Sequence, residues 1–256
     1  MLSVYVFTCQ VFMDHLTLKH LTRKHLILTK MLLAIDTATR TISLALHDGV
    51  TVVAESSWRT ADHHTVELAP QTALLLRRAG LTPDQLPGVA VALGPGSYTG
   101  LRIGLGLAKG LVLAHNVPLI GVPTFEILMR AQPAREESAV AILQAGRGRI
   151  LAAPYRWNTQ MQTWEPEAEA QVTNWSRLSE EITEPTFICG EVDGAGREAL
   201  RKVKNLVSLA SPAQSLRRAG YLAEIGWERL RASPSAVDHP DRLAPIYAGQ
   251  PEGSAA

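Results

Sequence analysis

The amino-acid sequence predicts an α/β protein in which helices pack against a mixed β-sheet. Residues 31–36, 41–47 and 51–57 are short apolar segments in close succession, and Asp48-Gly49 has the composition of a hairpin turn between the last two. After them, strand-like segments alternate with helical ones, the order that builds parallel strand pairs. With 256 residues, 46% of them hydrophobic, the chain can bury a substantial core in one or two domains.

The first half of the chain supplies the longest predicted elements. Residues 64–79 predict an amphipathic helix, because Leu68, Leu75 and Leu76 fall on one side and Gly80 ends it. The elements that follow are a strand at 89–93, a glycine-rich turn at 94–100, a long apolar helix to about residue 116, a strand at 117–120 and a short helix at 124–130. This succession predicts a β-α-β unit with an unusual turn.

The second half is predicted to alternate in the same way over shorter elements. Its predicted elements are strands at 139–144, 150–157 and 187–189, a turn at 146–149, a surface hairpin up to residue 171, and helices at 175–181, 196–202 and 212–231. A polar stretch at 132–138 separates the halves. The predicted domains are therefore 31–132, 133–232 and an irregular tail, 233–256, rich in Pro, Asp, Gly and Ala.

Residues 1–30 differ in composition from the rest of the chain. They hold three of the eight histidines and a single acid, and Met31 then opens the first predicted strand. One interpretation is an amphipathic arm, and the interpretation that we favour is that translation starts at Met31. The segment is therefore treated as a non-native or disordered extension, and it lacks the pattern of a signal peptide.

Charge and cysteine content limit the function classes. The net charge is +1 and only 19% of residues are charged, so no general electrostatic attraction to nucleic acid or membrane surfaces is expected. Cys9 and Cys189 show no metal-binding or redox spacing, which fits a reducing cytoplasm. No apolar run approaches the roughly 20 residues that span a bilayer.

The turn before the long helix has the composition of an anion-binding turn. Gly94 and Gly96 allow positive φ, so neighbouring backbone N–H groups can point into one concavity at the start of a helix. Ser97 and Thr99 would add side-chain donors to a bound nucleotide or other anion. The alternative is a tight turn without a ligand, in which Ser97 caps the helix. The residues alone leave both interpretations open.

The long helix carries two rows of small residues at four-residue spacing. The first row is Gly100, Gly104 and Ala108, and the second is Gly106, Gly110 and Ala114. A glycine inside a helix costs roughly 1 kcal/mol relative to alanine, so its retention suggests close approach of another backbone. One face is predicted to pack on the sheet. The other is either covered within the fold or presented to a partner.

Three segments of the chain resemble one known family. The stretch GPGSYTGLRIGLGLAKGLVLAHNVPLIGV, residues 31–49, and residues 64–70 are similar to TsaB, the dimerisation subunit of the bacterial machinery that makes threonylcarbamoyladenosine in tRNA. The resemblance implies the actin, Hsp70 and sugar-kinase fold, with one full lobe and a shortened second lobe. It also implies a heterodimer with the catalytic subunit TsaD, a third component (the P-loop ATPase TsaE), and no tight binding of tRNA by this chain alone. A homodimer of the free chain stays open.

The same resemblance separates this chain from the catalytic relative. TsaD carries two metal-binding histidines after the strand that follows the glycine-rich helix, and the matching positions here are Thr124 and Leu128. We therefore expect no metal, no cofactor and no catalytic residue. The alternatives are an active ATP-dependent transferase or metallopeptidase-like enzyme of the same superfamily, and a small-ligand-binding module.

The resemblance also assigns two groups of site residues. In this fold the turn after the first strand approaches the phosphates of ATP, so Asp36 joins the glycine-rich turn as a candidate nucleotide contact. The alternative, which we favour, is that Asp36 and Thr37 only form hydrogen bonds with the turn that follows them. The predicted partner interface comprises His64, Gly100, Gly104, Gly106, Ala108 and Gly110.

Overall fold

The computed structural model describes residues 30–60, 64–232 and 239–247. The expectations for the first 29 residues and for most of the tail lie outside the described residues. Within the described part, two β-sheets form two lobes. No helix of these residues is both long enough and apolar enough to cross a membrane.

The first sheet has five strands in the order β3-β2-β1-β4-β5. Its strands are β1 (Leu32–Asp36), β2 (Thr41–His47), β3 (Val52–Arg59), β4 (Val89–Gly94) and β5 (Leu119–Pro123). The β1, β2 and β3 strands pair antiparallel, whereas β1, β4 and β5 run parallel. This is the mixed sheet that the sequence predicts. Every residue of β1 and β4 is buried, because helices cover both faces of the sheet.

Four helices cover the first sheet. They are α1 (His64–Ala79) and α2 (Tyr98–His115) on one face, and α3 (Thr124–Arg130) and α6 (Ala219–Ala232) on the other. The predicted amphipathic helix at 64–79 is confirmed by α1, whose buried residues include Leu68, Leu75 and Leu76. Two separate hydrophobic clusters, one for each face, form the core of this lobe.

The second sheet repeats the strand arrangement of the first. Its strands are β6 (Ser138–Gly146), β7 (Arg149–Asn158), β8 (Thr163–Pro166), β9 (Gln171–Thr173), β10 (Thr186–Gly190) and β11 (Val207–Leu209). The order β11-β10-β6-β7-β8 corresponds position by position to β5-β4-β1-β2-β3, with the same parallel and antiparallel pairs, and β9 is an addition beside β7. Both sheets therefore follow one topology.

The second lobe is short in its helices and complete in its sheet. Its own helices, α4 (Trp175–Glu181) and α5 (Gly194–Leu200), have seven residues each, compared with 16 and 18 for α1 and α2. They cover one face of the second sheet. The opposite face contacts α3, whose Phe125, Leu128 and Met129 belong to the second-lobe core while Ile127 belongs to the first. The α3 helix therefore contributes apolar side chains to the cores of both lobes.

The helix at the end of the second half belongs to the first lobe, which corrects the predicted domain limit at residue 232. The sequence predicts this helix over 212–231, but it begins only at Ala219 and lies across β1 and β2. Gly226 makes this possible, because a Cβ there would lie 2.8 Å from the Cβ of Ala90. The described part of the tail also packs on the first lobe, where the Ile246 N–H donates to the Leu93 carbonyl at 2.7 Å.

Candidate functional site

The turn after β1 and the turn before α2 meet at the edge of the first sheet. The Asp36 carboxylate accepts a hydrogen bond from the Ala38 N–H at 2.9 Å, which fixes the turn after β1. The Thr37 hydroxyl donates to the Gly100 carbonyl at 2.7 Å. Residues far apart in sequence therefore form one packed junction between the two turns.

The concavity of the glycine-rich turn is occupied by the chain itself. The Ala38 carbonyl accepts a hydrogen bond from the Ser97 N–H at 2.6 Å, and a Cβ at Gly96 would lie 2.1 Å from the same oxygen. On its other side, a Cβ at Gly94 would lie 2.3 Å from the Ile246 carbonyl oxygen. The Ser97 N–H is therefore engaged within the chain, and the Ala38 carbonyl lies directly against Gly96.

This geometry corrects the predicted anion contacts at Gly94, Gly96 and Ser97. The Ser97 hydroxyl instead accepts from the Gly100 N–H at 3.2 Å, the helix-capping role that was the alternative interpretation. Thr99 is exposed, and nothing in the described structure tests its role. The sequence shows that glycine is needed at this turn, but it does not show that a carbonyl from another segment is the group that approaches.

Asp36 faces an arginine that sequence analysis did not identify. Its Oδ2 lies 3.1 Å from Arg217 Nε, and the side chains are only 1% and 3% exposed. Arg217 also donates to Thr39 Oγ1 at 2.7 Å and lies 3.4 Å from Glu191 of the second lobe. The expected nucleotide contact at Asp36 is therefore occupied by a side chain of the same protein.

Burial and neighbouring charge act in opposite directions on this arginine. Burial alone lowers the pKa of the Arg217 guanidinium, but the Asp36 and Glu191 carboxylates outweigh that effect and raise its pKa above the ordinary value. The charge is therefore present at any pH at which the protein is folded. Position 217 carries no local sequence signal, because its partners lie 181 and 26 residues away along the chain.

The inner row of small residues on α2 is closed against the first lobe. A Cβ at Gly104 would lie 2.1 Å from Thr37 Oγ1, and a Cβ at Gly100 would lie 2.2 Å from the Thr37 carbonyl oxygen. Ala108, the third member, is fully buried. These three residues contact their own lobe and are not accessible to a partner, which corrects their predicted place in an interface.

The outer row of the same helix is open. A Cβ at Gly106 or Gly110 would meet no heavy atom of the described chain within 4 Å, and both glycines are exposed. Ala114, the third member of the row, is also exposed, and its neighbour Leu113 is 65% exposed. Gly106 and Gly110 are thus accessible to a partner in the described structure, and their interface role stays a prediction.

His64 lies inside the first lobe rather than on its surface. Its ring is buried, and Nε2 lies 2.9 Å from the Thr39 carbonyl oxygen. The side chain thereby ties the start of α1 to the turn after β1. This corrects its predicted interface role, although the outward side of the same helix presents Val66, which is 69% exposed.

The two positions that align with the metal-binding histidines of TsaD lie on α3. Thr124 and Leu128 are both fully buried, and Leu128 packs in the second-lobe core. Thr124 Oγ1 has no hydrogen-bond partner within the described residues. Across the described ranges, no group of three His, Cys, Asp or Glu side chains is placed to hold a metal ion.

Comparison with known proteins identifies relatives across most of the chain. Residues 55–247 match the family described as TsaD: tRNA N6-adenosine threonylcarbamoyltransferase. The chain is 29% identical over 200 residues to the tRNA threonylcarbamoyladenosine biosynthesis protein TsaB of Bacillus subtilis, covering 77% of this chain and 87% of that one. It is 32% identical over 143 residues to the TsaB protein of Buchnera aphidicola, covering 54% and 67% respectively.

The fold is also found in a solved structure. YeaZ from Pseudomonas aeruginosa superposes with a TM-score of 0.66 at 22% identity, covering 85% of this chain and 99% of that one. At this level of identity the similarity establishes a shared fold. The two lobes described above are therefore the architecture of a known structural group.

Proposed function

The chain belongs to the TsaD family, and within it to the TsaB proteins, and on that premise we propose that it is a non-catalytic subunit that binds and activates a TsaD-type enzyme. The modification is the attachment of a threonylcarbamoyl group to N6 of adenosine in tRNA. In this proposal the TsaD-type partner carries out the chemistry, and this chain stabilises its active conformation through contacts that other conformations lack.

The open outer surface of α1 and α2 is the observation that carries the proposal. These two helices contact each other, and we call their exposed side the outer face, made of Val66, Ala73, Gly106, Gly110 and Leu113. In the described part of the chain, nothing lies within 4 Å of a Cβ placed at either of its two glycines, so the backbone of a partner helix can approach closely. Exposed apolar side chains that lie together are typical of protein–protein interfaces.

One end of the outer face offers residues of the types that anchor interfaces. Tyr98 is exposed and stacks on Tyr247 with ring centroids 5.0 Å apart, and the Arg102 guanidinium lies 5.0 Å from the Tyr98 ring centroid. Tyrosine and arginine supply a large share of binding energy where they are desolvated by a partner. We propose that this cluster extends the outer face at the start of α2.

The accessory rather than catalytic role is supported by two contacts within the chain. Asp36 is paired with Arg217, and the glycine-rich turn is filled by the Ala38 carbonyl. The Asp36 carboxylate and the Ser97 N–H are both engaged by other groups of this chain, which supports an accessory role. The alternative, an active transferase or metallopeptidase-like enzyme, would require substantial ATP turnover or about one metal ion per chain in the purified protein without residues 1–30.

The decisive experiment combines a binding assay with a thermal melt of Gly106→Leu. The new side chain projects into free space in the isolated chain, so the melting temperature should not fall, whereas close approach of a partner is blocked. Co-elution with the matching TsaD-type subunit in size-exclusion chromatography should be lost. Gly194→Leu is the matched control, because Gly194 is also exposed, with no described residue near its Cβ position, but lies in the second lobe.

Retained co-elution of the Gly106→Leu variant at wild-type affinity would contradict the proposed face. The same chromatography tests the remaining parts of the proposal. We propose that a TsaE-type P-loop ATPase joins the two subunits in the cytoplasm, that the free chain can form a homodimer through the outer face, and that it binds tRNA weakly. Weak binding should vanish as salt rises, since only phosphate contacts would support it.

A further inference from the structure

Arg217 occupies a position between the lobes that is fixed from both sides. It lies in the segment that leads from β11 of the second lobe to α6 on the first lobe. On the first-lobe side its guanidinium contacts Asp36 and Thr39, and on the second-lobe side it contacts Glu191. One buried side chain therefore contacts both lobes through charged or polar groups.

The acidic partners of Arg217 are themselves held in place. The Asp36 carboxylate is anchored by the Ala38 N–H. Glu191 accepts the Gln144 N–H at 2.9 Å, and the Gln144 side chain donates to the Glu191 carbonyl at 2.8 Å. Each carboxylate is thus part of the rigid end of its own lobe. A cation between two fixed anions resists any motion that moves them apart.

We propose that Arg217 is an internal latch, which holds the two lobes closed without any bound ligand. Two-lobed proteins commonly close around a ligand by rotation about a hinge. In this proposal the apolar α3 helix, which contributes to both cores, is the pivot, and the Arg217 cluster is a second, charged contact that holds the lobes together. The relative orientation of the lobes is therefore set by the chain itself and does not depend on nucleotide.

The test measures the distance between the lobes in the isolated full-length chain. Spin labels on Arg78→Cys of α1 and Arg177→Cys of α4, both exposed positions, report lobe separation by electron–electron double resonance. A Cys9→Ser change removes one native thiol. The other, Cys189, is buried, and burial raises its pKa to about 12, so it does not compete for label.

Arg217→Met should broaden the distance distribution and shift it to longer separations. The matched control is Arg218→Met. This neighbouring arginine pairs with Glu55, so its contact stays within the first lobe and its loss should leave the distribution unchanged. Added ATP and magnesium should not alter the distribution of the parent chain, because the latch already closes the lobes.

A second variant keeps the test valid if Arg217→Met fails to fold. Glu191→Gln weakens only the second-lobe side and leaves the pair of Asp36 and Arg217 intact, so it should loosen the lobes while the first lobe stays folded. Distributions in both folded variants that match the parent overturn the latch. A parent chain that is already broadly distributed, or that narrows on adding ATP, overturns it as well. No partner subunit enters this test, so its outcome is independent of the proposed function.

Discussion

The two rows of small residues on α2 have the same spacing and opposite surroundings. In the inner row, Gly100 and Gly104 lie against Thr37 of the turn after β1, and Ala108 is buried in the core of the first lobe. The outer row, led by Gly106 and Gly110, faces open space. A repeated pattern of small residues therefore shows that close approach is needed. It does not show whether the approaching group belongs to the same chain.

The two rows also differ in whether the stability cost of their glycines is offset within the chain. Each helical glycine lowers helix stability by roughly 1 kcal/mol relative to alanine. In the inner row this cost is offset within the chain, because the missing Cβ atoms let Thr37 reach the helix. In the outer row nothing in the described chain offsets it. The outer glycines are thus a local loss of stability that contact with another molecule would explain.

The largest expected effect separates the two rows directly. Gly104→Ala places a Cβ about where Thr37 Oγ1 now lies, so the turn after β1 must shift. We expect a loss of about 3 kcal/mol in the free energy of unfolding, at the upper end for overpacked cores. Urea denaturation of the isolated chain measures it. Gly106→Ala, two positions along the same helix, is the control, and equal losses in both variants would abolish the distinction between rows.

A smaller loss is expected from the other side of the inner contact. Thr37→Val keeps the shape of the side chain but removes the hydrogen bond from the hydroxyl to the Gly100 carbonyl. The free energy of unfolding should fall by about 1 kcal/mol, the usual net value of one such bond. Denaturant melts of this variant and of Thr99→Val, an exposed position at the start of α2, provide the comparison. No difference between the two would mean that the inner contact is only steric.

The outer row should respond in the opposite direction. Gly106→Ala and Gly110→Ala meet no neighbour, so each should stabilise the isolated chain by up to about 1 kcal/mol through better helix propensity. Thermal melts of each variant and of the double variant measure this gain. Destabilisation by either change would show that the row is covered within the chain after all.

The smallest expected effect is a pH dependence of stability that should be the same in variants of either row. Burial lowers the pKa of His47 below its ordinary 6.5, and its Nδ1 accepts the Gly49 N–H at 2.8 Å, which requires an unprotonated nitrogen. The folded chain thus binds this proton less readily than the unfolded chain. The contribution of His47 to stability is complete above about pH 6.5 and is lost as the pH falls toward the lowered value.

The His47 ring lies on the α6 side of the first sheet and not on the α2 side, because Glu224 and Arg231 of α6 are among the charges that act on it. Melts at pH 7.5 and 5.5 should therefore shift equally in the parent, Gly104→Ala and Gly106→Ala chains. The shift should shrink in His47→Gln. A row variant that changes the pH response would mean that α2 is coupled to the opposite face of the sheet.

Local patterns predicted much of this fold because they reflect local physics. The helix at 64–79 was predictable from its apolar spacing, and the turn at Asp48-Gly49 from its composition. The long glycine-rich helix could be placed for the same reason, although its two faces could not be assigned. The face of a glycine depends on which distant segment packs against it, and here that segment is Thr37.

The elements that sequence analysis misplaced depend on contacts between distant residues. Arg217 lies in a stretch predicted to be helical, and nothing near it indicates that Asp36 is its partner. The assignment of α6 to the second lobe failed for a similar reason, since its amphipathic pattern fits either sheet. The composition of the turn predicted an anion site at Gly96, but the Ala38 carbonyl lies there and accepts the Ser97 N–H.

The return of α6 to the first sheet has a consequence for how the protein is synthesised. One face of that sheet, including Leu32 and Ala90, is covered by residues of α6 that leave the ribosome only after the second lobe has been synthesised. The first lobe therefore cannot be completed during translation in the order of its sequence, and the second lobe emerges before the first is sealed. Early release of the nascent chain, anywhere before residue 219, would leave an apolar sheet face exposed and prone to aggregation.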